Sequence, residues 1–98
     1  MPIEIRYVDP RELRPHPARS IADPQKLSRQ IARYGSATQG MPPLIAFLDV
    51  ADRLVVYDGV TRATRAIRLA PGTTVPVEIA GRIAMSFGGQ PTFGELLP

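Results

Sequence analysis

The alternation of apolar and polar side chains predicts that the chain opens with a β-strand. Residues 3–8 alternate between the two classes, and this period of two is typical of a strand with one buried face. Ile3, Ile5 and Tyr7 would form that buried face. The pattern therefore predicts an N-terminal strand that packs its isoleucines and tyrosine against a core.

Three further apolar segments predict the rest of a sheet. Residues 44–48 and 54–57 are continuous apolar runs separated by a short polar turn, which favours a β-hairpin. Apolar residues alternate again over 75–79 and predict a fourth strand. Pro76 lies in this strand and lacks a backbone N–H, so the strand should lie at a sheet edge or direct that position away from a ladder.

Helical spacing predicts two main helices. Asp23 followed by proline is a good helix start, and apolar residues then recur at helical spacing over 24–34 until Gly35. A second helix, rich in alanine and arginine, should occupy 60–70 and end at the Pro-Gly pair that follows. The predicted fold is α+β, a mixed sheet of about four strands with two main helices.

The pattern divides the chain into a domain, residues 1–80, and a tail, residues 81–98. Thr92 and Glu95 have the spacing of a capping box, so the tail should contain a final helical turn. A docking segment, a frayed end and a part of the core are all compatible with its composition. The loop over 14–20 has two prolines and no periodicity, and it should be irregular.

Composition narrows the class of protein further. The 98 residues suffice for one small domain, and their 11 prolines argue against a helical bundle. The absence of cysteine excludes disulfides, thiolate catalysis and cysteine-ligated zinc. No apolar run is long enough to span a bilayer, so we expect no membrane partner and a cytoplasmic location. The net charge of +3 is weak evidence for nucleic acid.

Candidate chemistry lies where the second hairpin strand meets the second helix. Glycine before a helix leaves unpaired N–H groups accessible to a phosphate, and Arg62 in the first turn has a guanidinium that matches phosphate oxygens. Asp58, just before Gly59, is placed to hold a cation or accept a proton. An aspartate that only caps a surface helix would produce the same sequence pattern. From these residues alone, the capping interpretation is favoured.

Other polar residues admit structural explanations. His16 is the sole histidine, without a suitably spaced partner, and fits a role in loop structure. Asp49 and Asp52 lie in the hairpin turn, where aspartate is common because it hydrogen-bonds locally. Arginines that step by three along the second helix predict either a solvated face or an anion-binding ridge: Arg62, Arg65 and Arg68.

The order of features over residues 5–79 resembles the N-terminal domain of ParB partition proteins, a fold shared with sulfiredoxin. The family pattern runs through an arginine-bearing proline loop, a helix ending in glycine, a proline-led strand, a Gly-x-x-Arg turn before a helix, and a last strand. The matching segments in this chain are 13–19, 27–35, 43–47, 56–62 and 74–77.

This resemblance implies a nucleotide-phosphate site. Gly59 and Arg62 stand at the glycine and arginine of the motif, Val60 and Thr61 stand between them, and Arg19 matches a second phosphate contact from the upstream loop. Bound Mg²⁺ with a nucleoside triphosphate, CTP or ATP, is implied, with Asp58 as metal ligand or base. Family members use such sites for CTP-driven clamping in plasmid partition, sulfinic acid reduction, phosphoryl transfer or nuclease activity.

The chain departs from the family in ways that separate three hypotheses. Val60 and Thr61 replace the cysteine that sulfiredoxin chemistry needs and the Glu-Arg pair usual in partition proteins. Without a helix-turn-helix pattern, we do not expect a complete centromere-binding protein. A nucleotide-binding module, with or without hydrolysis or phosphoryl transfer, is the first hypothesis. The others are a nuclease or toxin-type effector with a nucleic-acid partner, and an inactive module with a protein partner.

Overall fold

The computed structural model describes residues 3–97, which form one sheet, three α-helices and two 3₁₀ turns. The strands are β1 (Glu4–Val8), β2 (Arg14–Pro15), β3 (Leu44–Leu48), β4 (Leu54–Asp58) and β5 (Val75–Arg82). The helices are α1 (Pro24–Tyr34), α2 (Val60–Leu69) and α3 (Phe93–Leu96), and the 3₁₀ turns are Pro10–Glu12 and Pro17–Arg19. The predicted α+β class and both main helices are confirmed.

The sheet is mixed, with strand order β1-β5-β3-β4-β2. The hairpin strands β3 and β4 pair antiparallel, as predicted, while β5 runs parallel to β3 and antiparallel to β1. A fifth strand was not predicted: Arg14–Pro15 pairs parallel with β4 inside the loop that the sequence presents as irregular. Two residues are too few to show a period, and Pro15 argues against a strand locally.

β5 is an interior strand, so the edge position inferred from Pro76 is wrong. Pro76 pairs with Tyr7 of β1, and the ladder with β3 starts one residue later, at Val77. The proline therefore precedes the first β5 residue that pairs with β3. Its missing N–H is tolerated because of that position, not because the strand lies at an edge.

The strand predicted over residues 3–8 forms, but its buried face was predicted wrongly. In β1 Ile5 pairs with Glu78 and Tyr7 pairs with Pro76, on the face of β5 opposite to the core residue Val77. Ile5 and Tyr7 are exposed. The period of two identifies a strand, whereas the partner strand decides which of its faces meets the core.

The core lies between the helices and one face of the sheet. One cluster of buried side chains joins Leu27 of α1 and Ala63 of α2 to Leu44, Val56 and Val77 of the central strands. Polar residues of α1 face outward, as its helical spacing predicts. Among residues 3–97 no helix is long and apolar enough to cross a membrane.

The C-terminal segment packs onto the same core. Phe93 is fully buried in the cluster, and its N–H donates to the carbonyl of Leu13 (2.8 Å). The predicted final turn is α3, with the Thr92–Glu95 capping box formed. Phe87 is also buried, and its ring lies 5.8 Å from that of His16 on the far side of the sheet. Residues 87–97 thus close the fold on two sides.

Candidate functional site

The junction between β4 and α2 forms a tight turn that only glycine fits. Gly59 has φ +107°, in the left-handed region, and an added Cβ would lie 2.7 Å from Leu44 Cγ and 3.2 Å from Leu44 Cα. No side chain of the described residues caps the first turn of α2. Backbone N–H groups at this helix end are therefore available to a ligand.

A cavity of about 450 Å³ lies in front of this helix end. All six residues singled out from the sequence line it: Arg19, Asp58, Gly59, Val60, Thr61 and Arg62. The 3₁₀ turn Pro17–Arg19 brings Arg19 to the cavity, although it lies about forty positions before α2 in the chain. The fold thus brings the predicted residues together, and sequence spacing alone could not show this.

Helix α1 contributes two residues to the cavity that the sequence analysis did not single out. Lys26 and Gln30 line the cavity beside Asp23, whose carboxylate already accepts the N–H groups of Gln25 and Lys26. A lysine in the first turn of a helix is unfavourable next to the positive end of the helix dipole. The position of Lys26 in the sequence could therefore have indicated a functional role, because an acidic residue there would stabilise the helix and a lysine does not.

Arg62 projects from the first turn of α2, and its guanidinium is only partly satisfied. Nη2 donates to the carbonyl of Pro43 (3.1 Å) and lies 3.8 Å from Asp58 Oδ2, beyond hydrogen-bond distance. Nε is buried and has no hydrogen-bond partner among residues 3–97. A buried donor without an acceptor costs about 1–3 kcal/mol, so the described residues do not satisfy this guanidinium fully.

Asp58 supplies one carboxylate at the mouth of the cavity. Its side chain is 67% exposed, and Arg62 is its nearest basic group. No group of three or more metal-ligating side chains occurs within the described part of the chain. Mg²⁺ often binds through only one or two carboxylates together with substrate phosphates and water. A lone Asp58 is compatible with that manner of binding, in which the phosphates provide the other ligands.

Arg65, the middle arginine of α2, does not belong to an anion-binding ridge. Arg65 is 3% exposed and donates to the carbonyls of Gly35 (3.0 Å) and Ala37 (2.7 Å), with its guanidinium over the ring of Tyr34. Burial lowers the pKa of this guanidinium. Arg65 therefore fixes the loop after α1, whereas Arg68 is exposed.

The remaining polar residues have the structural roles expected of them. His16 Nδ1 accepts the N–H of Ala18 (3.1 Å), and its ring lies 4.8 Å from that of Tyr57. Asp49 is fully buried in the hairpin turn and accepts four hydrogen bonds there. Asp52 forms an exposed ion pair with Arg82. None of the three lines the cavity at the end of α2.

Comparison with known proteins adds no relative: no family model, no curated protein and no solved structure matches this chain.

Proposed function

We propose that the chain binds the phosphate groups of a nucleotide in the cavity between the first turns of α1 and α2. One observation carries this proposal: the uncapped N-terminus of α2 and three basic side chains, Arg19, Lys26 and Arg62, converge on a single cavity. The acidic residues around it are Asp23, engaged in capping α1, and the exposed Asp58. The resemblance to ParB N-terminal domains supports the same proposal.

Each part of this arrangement stabilises negative charge. The uncapped N–H groups of α2 and its dipole favour an anion at Val60 and Thr61. The guanidiniums of Arg19 and Arg62 offer paired donors that match two phosphate oxygens, and Lys26 adds a point charge. Gly59 permits the left-handed turn from which α2 begins without a capping side chain. A chain of two or three phosphates would use all of these groups.

Mg²⁺ fits the proposal through Asp58. The carboxylate would hold the ion, and Thr61 would offer its hydroxyl, while the phosphates complete the coordination. Bound Mg²⁺ would neutralise charge on the phosphates and assist their transfer or hydrolysis. Arg19 and Arg62 would orient the phosphates, and Asp58 is also the one carboxylate at this end of the cavity able to accept a proton from an attacking hydroxyl or water.

A thermal-unfolding experiment tests the proposal. The wild-type chain and an Arg62→Met variant are melted with CTP, ATP, GTP and UTP, each with and without Mg²⁺. A ligand at 100 times its dissociation constant stabilises the native state by about 2.7 kcal/mol, which raises the melting temperature of so small a domain by roughly 10 °C. We expect at least one nucleotide to stabilise the wild type and not Arg62→Met.

Arg68→Met is the matched control, because Arg68 is exposed on the same helix and does not line the cavity. Its response should equal that of the wild type. Equal stabilisation of all three proteins would show non-specific charge binding and contradict the proposed site. A wild type that none of the nucleotides stabilises, even at millimolar concentration, would contradict nucleotide binding itself.

A further inference from the structure

The two edges of the sheet differ in how they are protected against pairing with another chain. At one edge β2 is two residues long and contains Pro15, which is a common way of blocking strand addition. At the other edge β1 is five residues long and contains no proline, and within residues 3–97 it pairs with β5 alone. The outer side of β1 is therefore an open row of strand hydrogen-bonding groups.

β1 also carries an apolar strip that the rest of the described chain leaves exposed. Ile5 and Tyr7 of β1 have 45% and 72% of their surface exposed, and Ile3, directly before the strand, has 68%; their spacing of two residues places them on one face. On that face Phe87 covers the opposite end of the sheet, next to His16 at β2. The apolar strip and the open edge coincide on β1, which is the combination typical of a strand that pairs with another chain.

The sequence of β1 is complementary to itself in one antiparallel register. With Ile5 opposite Ile5 of a second copy, Glu4 lies opposite Arg6 twice, and Ile3 lies opposite Tyr7 twice. Ile3, Ile5 and Tyr7 of both copies then share one face, and both charge pairs lie on the other face, which also carries Val8. We propose that the outer edge of β1 pairs with β1 of a second copy in this register, and that the two sheets join into one.

The neighbouring registers are less favourable, which makes the proposal specific. The two neighbouring registers that also keep both apolar strips on one face are centred on Glu4 or on Arg6 in place of Ile5. Each of these places a residue opposite the same residue of the copy, so like charges face each other. In the single chain the Arg6 Nε atom already lies 2.5 Å from Glu4 Oε2, and pairing would exchange this exposed contact in each of the two copies for one of two contacts across the interface.

Charge reversal tests both the interface and its register. Sedimentation velocity over a range of concentrations should show the wild type in a monomer–dimer equilibrium. Arg6→Glu or Glu4→Arg alone places two like-charged pairs across the axis and should weaken dimerisation by about tenfold or more, equal to about 1.4 kcal/mol. The double variant Glu4→Arg with Arg6→Glu restores the opposite charges and should restore the dimer.

Arg29→Glu is the matched control, because Arg29 is exposed on α1 and its reversal changes the net charge by the same amount as Arg6→Glu. This variant should dimerise like the wild type. A wild type that stays monomeric at all concentrations overturns the proposal. Single variants that dimerise normally would show that the copies meet through another surface, and a double variant that stays monomeric would overturn the register.

A cysteine introduced at the centre of the register gives an independent test. The chain has no cysteine, so Ile5→Cys supplies the sole thiol, and opposite residues in this register have Cβ atoms about 5 Å apart. Oxidised glutathione should cross-link Ile5→Cys into a covalent dimer. Ile3→Cys should not cross-link efficiently, because its two copies would lie roughly 13 Å apart along the strands. Equal cross-linking of both variants would overturn the register.

Discussion

Two aspartate–arginine pairs with the same spacing lie at the two ends of the second hairpin strand. Asp49 and Arg53 frame the turn that enters β4, and Asp58 and Arg62 frame the turn that leaves it for α2. In the first pair, Arg53 Nη1 and Asp49 Oδ2 lie 3.0 Å apart with the carboxylate fully buried; in the second, the corresponding atoms lie 3.8 Å apart with the carboxylate exposed.

The first pair is satisfied by the chain itself. Asp49 Oδ1 accepts the N–H groups of Ala51 and Arg53, and Oδ2 accepts the Arg53 guanidinium and the N–H of Phe87, all within 3.0 Å. Asp49 therefore holds the hairpin turn and the C-terminal segment together. No capacity is left on this carboxylate for a ligand.

The second pair is left incomplete. Arg62 has one buried N–H without an acceptor, α2 has no capping side chain, and the nearby cavity is lined by two further cations. Identical spacing thus gives a structural pair in one turn and, in the other, a pair that the described residues leave incomplete. What differs is whether the surrounding backbone supplies partners, and the predictions below test that difference, starting with the largest effect.

Asp49→Asn should destabilise the fold strongly. An amide can accept the N–H groups of Ala51 and Arg53, but its NH₂ group would then face two donors, the Phe87 N–H and the Arg53 guanidinium. We expect the melting temperature at neutral pH to decrease by at least about 15 °C. The matched variant Asp58→Asn should change it by less than about 3 °C, because Asp58 is exposed and accepts no hydrogen bond from the described residues.

The same residue makes stability sensitive to acid. Burial raises the pKa of Asp49, but the N–H groups of Phe87, Arg53 and Ala51 outweigh it and hold the pKa well below its ordinary value. A carboxyl whose pKa is lowered on folding stabilises the protein above its unfolded pKa of about 3.9 and loses this contribution as the pH falls. Urea unfolding from pH 6 to pH 2 should show that loss in the wild type.

Asp9 and Glu95, whose pKa values are also lowered, contribute in the same direction. Only the part of the acid dependence that disappears in Asp49→Asn belongs to Asp49. If the variant keeps the full wild-type dependence on pH, or melts at the wild-type temperature, the buried pair is not the structural one and the comparison fails.

Gly59→Ala should have the next largest effect, because it alters the turn that opens the second pair. The left-handed φ and the contact of an added Cβ with Leu44 together should lower the free energy of unfolding by about 2–3 kcal/mol. Gly72→Ala is the control: its φ is +84°, yet nothing lies within 4 Å of the added Cβ, so it should cost about 1 kcal/mol. Equal losses in urea unfolding would show that the close approach to Leu44 is unimportant.

Local signals in the sequence predicted the elements, while distant contacts decided how they combine. The Asp23-Pro24 start and the Thr92–Glu95 box each lie within one turn of chain, and both caps form. The strand order could not be read in this way, because β1 pairs with β5 about seventy residues later. The edge alternative for β5 and the buried face predicted for β1 are wrong for that reason.

The residues of the candidate site also differ in whether local sequence or distant contacts bring them together. Residues 58–62 are contiguous, so their pattern was visible in the sequence. Lys26 joins them only because α1 packs beside α2, and no local pattern specifies that packing. A charged residue on a helix is usually exposed, so the sequence did not show that Arg65 is buried. The carbonyls of Gly35 and Ala37 that accept its hydrogen bonds lie about thirty residues earlier in the chain.

The smallest expected effect tests the comparison most directly. Arg62→Met should change the free energy of unfolding by less than about 1 kcal/mol, because the lost bond to the Pro43 carbonyl is offset by removal of the buried, unpartnered Nε. Arg53→Met, the matching change in the first pair, removes a charged donor from a buried carboxylate and should cost about 1–2 kcal/mol. Urea unfolding of both variants without ligand measures the difference. If Arg62→Met is as destabilising as Arg53→Met, Arg62 is held in place by the fold as firmly as Arg53 and is not kept free for an anion.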